Sequence, residues 1–204
     1  MTTRRPGARK AEILDIATVL FQRSGFHNVG MDDIGEAAGI TGPALYFHFP
    51  SKTGLLITMM ERVADELLRE APTAEPADPA DALRRLVARH VEFALDERAL
   101  IAVWTRDDCS LPSAELRQLR KREGAYLTRW VELLRDYNPD LDQAEAVSIV
   151  RGVWSFIASI AFYEPELDRE RVGDLLEMKA TACLLERAPK VGKTTKARDH
   201  AHRR

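Results

Sequence analysis

Several side chains with hydrogen-bond donors stand within one short stretch of the sequence, among them Thr41, Tyr46, His48 and Lys52. Hydroxyl, phenol, imidazole and ammonium groups are among the donors that proteins present to nucleic-acid phosphates. Thr41 is placed to cap a helix over residues 42–48, and a helix N-terminus attracts anions. The stretch therefore predicts a surface that contacts phosphate.

The sequence gives little indication of an enzyme. The sequence has no phosphate-cradling glycine loop, no HExxH pair and no nucleophile elbow. His90 lies on an apolar helix face, as a core histidine does, and acidic neighbours disfavour a thiolate at Cys109. His200 and His202 are too few to hold a metal firmly. We expect no catalytic residue, no cofactor and no metal site.

The elements around the phosphate-contacting stretch explain how it is positioned. Residues 31–38 have the pattern of a short helix, Gly39 suits a tight turn, and residues 42–48 form a second short helix. Two helices joined by so short a turn cross steeply, which is the helix-turn-helix arrangement. In that arrangement the N-terminal part of the second helix enters the DNA major groove.

The segments ILDIATVLFQRSGF, MDDIGEAAGI and ALYFHFPSKTGLL, between residues 13 and 56, resemble the N-terminal DNA-binding domain of the TetR family of bacterial transcriptional regulators. The resemblance implies that the Tyr46 hydroxyl and the Lys52 ammonium contact phosphates. An aromatic packing residue and an ordinary surface lysine remain the alternatives. Gly30 departs from the family, whose members often have a capping threonine at this position.

The second helix has few side chains that can recognise bases, because Gly42, Pro43 and Ala44 cannot make bidentate contacts to base edges. Readout would then depend on Thr41, on Pro43 against thymine methyl groups, and on an arginine arm in the minor groove. The expected DNA-binding residues are Arg4, Arg5, Arg9, Thr41, Gly42, Pro43, Tyr46, His48 and Lys52.

Apolar residues recur at helical spacing along the rest of the chain, and no alternating stretch suggests a strand. We therefore predict an all-α fold: an N-terminal three-helix helix-turn-helix DNA-binding domain over residues 1–52, followed by a helical ligand-binding and dimerisation domain over residues 53–187. Residues 188–204 are basic and nearly free of apolar side chains, which predicts a disordered tail.

Large aromatic residues spread over several helices of the second domain suggest the wall of an internal pocket, although an ordinary core explains each of them as well. The segments ALIAVWTRDD and LRQLRKREGAYLTRWVELL resemble family members that regulate lipid metabolism, which implies an acyl-CoA or lipid-like effector. The candidate ligand-binding residues are Phe93, Trp104, Arg106, Tyr126, Trp130 and Trp154.

The helix that Asp142 and Glu145 introduce with a capping-box pattern has two apolar stripes. A helix with two apolar faces must bury both, either in its own core or against a partner subunit. The candidate dimerisation residues are Ile149, Val153, Phe156, Ile160 and Leu175.

Charge is segregated along the 204 residues, although the net charge is only −2. Residues 1–10 carry +4, residues 187–204 carry +6, and the remainder therefore carries −12. The acidic remainder should repel phosphate and confine DNA to the N-terminal region. With no apolar leader after Met1, we expect a cytoplasmic protein that uses no membrane.

Together these features predict a repressor that binds a palindromic DNA operator as a homodimer and is released by a small hydrophobic effector. The alternative is a helix-turn-helix regulator without a ligand, or one that a protein partner controls.

Overall fold

The structure, a computed structural model, describes residues 6–69, 78–107 and 110–186. Regular structure in these ranges is helical throughout, which confirms the all-α prediction. Short 3₁₀ helices lie at Phe26–Asn28 and Ser159–Phe162. The α-helices are α1 (Pro6–Ser24), α2 (Met31–Ala37), α3 (Gly42–His48), α4 (Lys52–Arg69), α5 (Pro79–Asp96), α6 (Arg98–Asp107), α7 (Ser113–Tyr137), α8 (Gln143–Ala158) and α9 (Arg169–Leu185).

Helices α1 to α3 share a small apolar core. Ile13 and Phe21 of α1 meet Ile34 of α2 and Leu45 of α3, and all four side chains are fully buried. Phe49, directly after α3, closes this core. Burial of such side chains contributes on the order of 2 kcal/mol each, which holds the three short helices in a fixed arrangement.

The C-terminal helices form a second packed body. Helix α5 packs against α7 and α9, while α8 packs against the same two helices. The N-terminus of α8 has the predicted capping box: the Asp142 carboxylate accepts from the Glu145 N–H at 2.8 Å, and the Glu145 carboxylate accepts from the Asp142 N–H at 2.9 Å. This pairing satisfies backbone donors that the first helical turn leaves open.

Helix α4 joins the two bodies. It begins directly after the helix-turn-helix, and its buried residues Leu55, Leu56, Met59 and Met60 belong to the common core. Its later turns pack against α7. The proposed domain boundary between residues 52 and 53 therefore falls at the start of a helix that both bodies share, and this boundary stays a prediction. The disordered tail predicted for residues 188–204 lies outside the described residues and also stays a prediction.

The faces of α8 differ from the predicted stripes in one respect. Val153 and Ile160, assigned to a dimer surface, are buried in the core of their own chain at 3% and 0% exposure, so the assignment of these two residues was wrong. For Ile160 the reason is that α8 ends at Ala158 and tightens into the Ser159–Phe162 3₁₀ helix. Val153 lies within α8, on the same buried face as Val150 and Ile157. Ile149, Phe156 and Leu175 keep partly or largely exposed surfaces.

The segment Gln143–Phe162 is long and apolar enough, by length and composition alone, to cross a membrane, with a mean hydropathy of 1.4. A third of that window is buried inside the fold. Its core side chains, among them Val150 and Ile157, pack into the same cluster as the other helices. A core helix of a globular protein passes the same test, so this segment is weak evidence for a membrane.

Candidate DNA-binding surface and ligand cavity

The turn between α2 and α3 depends on glycine at two positions. Gly39 has φ +64°, a left-handed conformation that residues with a Cβ adopt rarely. The Ile40 N–H donates to the Gly35 carbonyl at 2.9 Å, and a Cβ at Gly35 would stand only 3.2 Å from the Ile40 carbonyl oxygen. The two glycines thus permit the steep crossing that the sequence predicts for a helix-turn-helix.

Helix α3 presents two adjacent aromatic residues to solvent. Leu45 and Phe49 point into the core, whereas Tyr46 is 51% exposed and Phe47 is 87% exposed. The exposure of Tyr46 favours a contacting role over the packing alternative. Phe47 was not singled out from the sequence, although Leu45 and Phe49, four residues apart, already define the inner face of α3 and leave Phe47 outside.

The N-terminus of α3 is open. Thr41 occupies the N-cap position and its carbonyl accepts the Leu45 N–H at 3.0 Å, but its hydroxyl makes no capping hydrogen bond, contrary to the expected side-chain cap. The exposed hydroxyl is therefore available to a phosphate or base edge. Pro43 is exposed beside it, and Gly42 is half-buried.

The Lys52 ammonium group lies inside the N-terminal body instead of extending freely into solvent. It donates to the carbonyl oxygens of Phe26 and Val29, each at 2.8 Å, and stands 4.5 Å from the centre of the Phe26 ring. Since an ammonium group has three donors, one N–H remains for another acceptor. Lys52 thus ties the start of α4 to the segment that precedes α2.

The arginine arm is described in part. The Arg9 guanidinium donates to the Ala38 carbonyl at 2.6 Å and to the Glu12 carboxylate at 2.8 Å, which brings the first turn of α1 close to the turn between α2 and α3. Arg4 and Arg5 lie outside the described residues. The role of Arg9 at the DNA stays a prediction.

A cavity of about 340 Å³ lies between α4, α5, α6, α7 and α8. Its volume is at the lower end of the range usual for small-molecule sites. Four of the six candidate ligand-binding residues line it: Phe93, Trp104, Tyr126 and Trp154. Aliphatic side chains of α4, including Leu67 and Leu68, form another part of the wall.

The two remaining candidates lie elsewhere. Trp130 is fully buried and contacts the ring of Trp154 from outside the cavity lining. Arg106 donates to the carbonyl oxygens of Phe21 and Gln22 at the C-terminal end of α1 and to Asp107, and it does not line the cavity; its assignment to a ligand site stays a prediction. It joins α6 to α1, a long-range contact for which the sequence has no signal.

His90 stands at the centre of an aromatic cluster beside the cavity. Its ring centre is 5.8 Å from that of Tyr126 and 5.5 Å from that of Trp154, both nearly parallel to it, and the Tyr126 hydroxyl is 3.4 Å from His90 Nδ1. Burial lowers the pKa of His90 to about 4, and burial raises the pKa of Tyr126 to about 12. Both side chains are therefore neutral near pH 7.

One donor in the cavity wall lacks an acceptor. The indole Nε1 of Trp154 is buried and has no hydrogen-bond partner among the residues that the structure describes. An unsatisfied buried donor costs on the order of 1–3 kcal/mol.

Ion pairs connect α4 with the DNA-binding body on one side and with the cavity wall on the other. Arg62 of α4 donates to Asp15 of α1 at 2.6 Å and to Glu97, between α5 and α6, at 2.7 Å. Arg122, which lines the cavity, donates to Asp65 of α4. Helix α4 thus contacts the cavity and the DNA-binding body at once.

No group of three or more His, Cys, Asp or Glu side chains that could hold a metal lies within residues 6–69, 78–107 and 110–186. Cys183 of α9 is exposed, and Cys109 is outside those ranges.

Comparison with known proteins matches two family models to this chain. Residues 13–59 match the family model described as bacterial regulatory proteins, tetR family, and residues 76–149 match the tetracyclin repressor-like C-terminal domain. The two models together cover more than half of the sequence.

Individual relatives match over different lengths. The HTH-type transcriptional regulator EthR of Mycolicibacterium smegmatis is 38% identical over 80 residues, 38% of this chain and 37% of that protein, so the chain spans little more than a third of its length. The HTH-type transcriptional repressor KstR2 of the same organism is 27% identical over 187 residues, 84% of this chain and 88% of that protein.

A solved structure shares the whole fold. AibR, crystallised with isovaleryl coenzyme A and operator DNA, superposes with a TM-score of 0.70 over 83% of this chain and 97% of its own, at 18% identity. At that identity the likeness shows the fold alone.

Proposed function

This chain belongs to the TetR family of bacterial transcriptional regulators, and we propose that it is a cytoplasmic repressor that binds a palindromic operator as a homodimer and is released by a small hydrophobic effector. The observation that carries the proposal is α4, which starts at the helix-turn-helix and forms a wall of the cavity. A ligand that displaces α4 would therefore move the DNA-binding body.

DNA contact is assigned to the exposed side of α3 and its surroundings. Thr41, Pro43 and Tyr46 are exposed there, and His48 and Gly42 are half-buried beside them. Arg9 and Lys52 act at the edges of this surface, with Arg4 and Arg5 preceding it in sequence. Phe47, the most exposed large apolar residue near the turn, is added as a residue that contacts thymine methyl groups or deoxyribose.

Dimerisation is assigned to the outer faces of α8 and α9. Ile149 and Phe156 lie two turns apart on α8. Gly152, between them, has no side chain, so a partner helix could approach this face closely. Leu175 and the 54% exposed Met178 lie on α9. A two-fold interface on these helices would set the spacing of two α3 helices, which must be about 34 Å to reach successive major grooves.

The effector is assigned to the cavity. The aromatic and aliphatic lining suits an apolar ligand. The acyl chain of an acyl-CoA thioester is such a ligand, and AibR, similar in fold, was crystallised with isovaleryl coenzyme A. These points support an acyl-CoA or lipid-like effector.

A thermal-shift screen of acyl-CoAs, lipids and aromatic compounds tests the effector, with Ala158→Phe as the diagnostic variant. Ala158 lines the cavity, and a phenylalanine there fills the space that a ligand needs. We expect a compound that stabilises the wild type and lowers its operator affinity, and the loss of both effects in Ala158→Phe.

The matched control is Ala144→Phe, at an exposed position on the same helix, which should respond to the ligand as the wild type does. Selection of bound fragments from the source genome tests the operator in parallel, and the expected fragments contain a palindrome. A protein that binds such DNA but that no compound stabilises would favour the alternative of a regulator without a ligand.

Arg62→Met is expected to weaken the communication between the cavity and the DNA. Because the Arg62 side chain is 38% exposed, its two ion pairs contribute only about 1 kcal/mol to stability. Coupling between sites is typically 1–3 kcal/mol, about 5–150-fold in affinity, and the variant should lose most of it. The measurement is the ratio of operator Kd values with and without the compound found in the screen.

Arg84→Met provides the control for Arg62→Met, because Arg84 pairs with Asp81 within α5 alone. An unchanged Kd ratio in Arg62→Met would exclude the Arg62 ion pairs from the communication route.

A further inference from the structure

Two polar side chains at the rim of the cavity have no partner to explain their position. Arg151 and Ser155 both line the cavity and are exposed to solvent. They lie four residues apart on α8, which places them on the same side of the helix, one turn from each other. Neither side chain has a hydrogen bond or ion pair with any residue in the described parts of the chain.

The other charged groups at the rim differ from Arg151 in this respect. Arg122 is paired with Asp65, and Glu123 accepts a hydrogen bond from Arg120 at 2.8 Å. Their charges are thus compensated by neighbours. Arg151 is left as a positive charge beside an apolar cavity, in a body whose overall charge is strongly negative.

The size of the cavity limits what it can enclose. At the roughly 30 Å³ that a water-sized group occupies, a volume of about 340 Å³ holds on the order of ten non-hydrogen atoms. A medium-length acyl chain fits this space, whereas the coenzyme A moiety is several times too large and would have to lie outside. The rim is where such a ligand changes from apolar to polar.

We propose that the effector is an amphipathic anion whose apolar part fills the cavity and whose oxyanion is held at the rim by Arg151 and Ser155. The oxyanion is either the carboxylate of a free acid or a phosphate of a coenzyme A thioester, since a guanidinium and a hydroxyl bind both. This inference rests on the proposed function of the cavity as the effector site. It adds the charge of the ligand and the residues that recognise it.

Isothermal titration of the full-length protein with three probes of similar chain length tests the inference: octanoate, octanoyl-CoA and neutral 1-octanol. We expect at least one of the two anions to bind at least tenfold more tightly than octanol. Arg151→Gln should remove this preference and leave octanol binding unchanged. Arg151→Lys should restore part of the preference for the anion, because its ammonium keeps the positive charge but lacks the planar, forked donors of the guanidinium.

Arg85→Gln is the control, because Arg85 is an exposed arginine of α5 that does not line the cavity. Its probe affinities should equal those of the wild type. An unchanged thermal midpoint of Arg151→Gln would show that the variant is folded. Preference for octanoate identifies a free acid, and preference for octanoyl-CoA identifies a thioester; either supports the inference.

Two results would overturn the inference, and they have different consequences. If octanol binds as tightly as both anions, or if Arg151→Gln keeps the preference, the anion site is wrong while the cavity remains an effector site. If none of the three probes binds, the anion site is wrong, and the thermal-shift screen with Ala158→Phe then decides separately whether the cavity binds another effector.

Discussion

Lys52→Met is expected to lower the free energy of unfolding by about 2 kcal/mol and to weaken operator binding about tenfold or more. The Lys52 ammonium donates to the carbonyl oxygens of Phe26 and Val29, both at 2.8 Å. Hydrogen bonds to a charged group contribute more than neutral ones, and the variant leaves both carbonyls without their donor. Urea unfolding and operator titration measure the two effects.

The salt dependence of binding shows whether Lys52 also contacts a phosphate with its third N–H. A direct contact predicts that the slope of log K against log salt becomes smaller by about one, equally for different DNA sequences. A loss of affinity with an unchanged slope would make Lys52 a positioning residue for the helix-turn-helix. Lys121→Met, at an exposed lysine of α7, should leave stability and slope unchanged.

Acidification from pH 6.5 to pH 4 is expected to remove about 3 kcal/mol of stability through His90 alone, at about 1.4 kcal/mol per pKa unit. Burial lowers the pKa of His90 from 6.5 to about 4 in the folded protein. As the pH falls below 6.5 the unfolded chain takes up the proton first, so unfolding becomes more favourable. Below about pH 4 both states are protonated and the loss is complete.

Denaturant titrations of the wild type and His90→Phe between pH 4 and pH 7.5 measure this contribution. Carboxylates add their own pH dependence, so the informative quantity is the difference between the two stability curves. We expect the difference to grow toward low pH in favour of the variant. His27→Gln controls for an exposed histidine, and parallel curves for wild type and His90→Phe would contradict the assignment of a buried, neutral His90.

The local features of the fold could be predicted because their signals lie within a few residues. Gly39 was assigned to the turn, residues 42–48 to a helix, and Asp142 with Glu145 to a capping box, and all three are confirmed. Each depends on backbone conformation or on a hydrogen bond between near neighbours in sequence.

The candidate sites were predicted less completely, because helical periodicity identifies apolar faces without identifying what covers them. Val153 and Ile160 were placed on a dimer surface but pack into their own chain. Arg106 was placed in the ligand site but binds carbonyl groups 84 and 85 residues earlier in the sequence. Arg151 was passed over because nothing in a sequence distinguishes an unpaired arginine from a paired one.

A helical regulator with a helix-turn-helix could be recognised from the amino-acid sequence, because turn glycines, helix caps and the ordered run from Tyr46 to Lys52 are local and specific signals. Tertiary packing, by contrast, places the ammonium of Lys52, selects the aromatic residues that surround a cavity, and brings α4 into contact with both that cavity and the DNA-binding body. These features arise from side chains that are distant in sequence, and only the packing of whole helices brings them together.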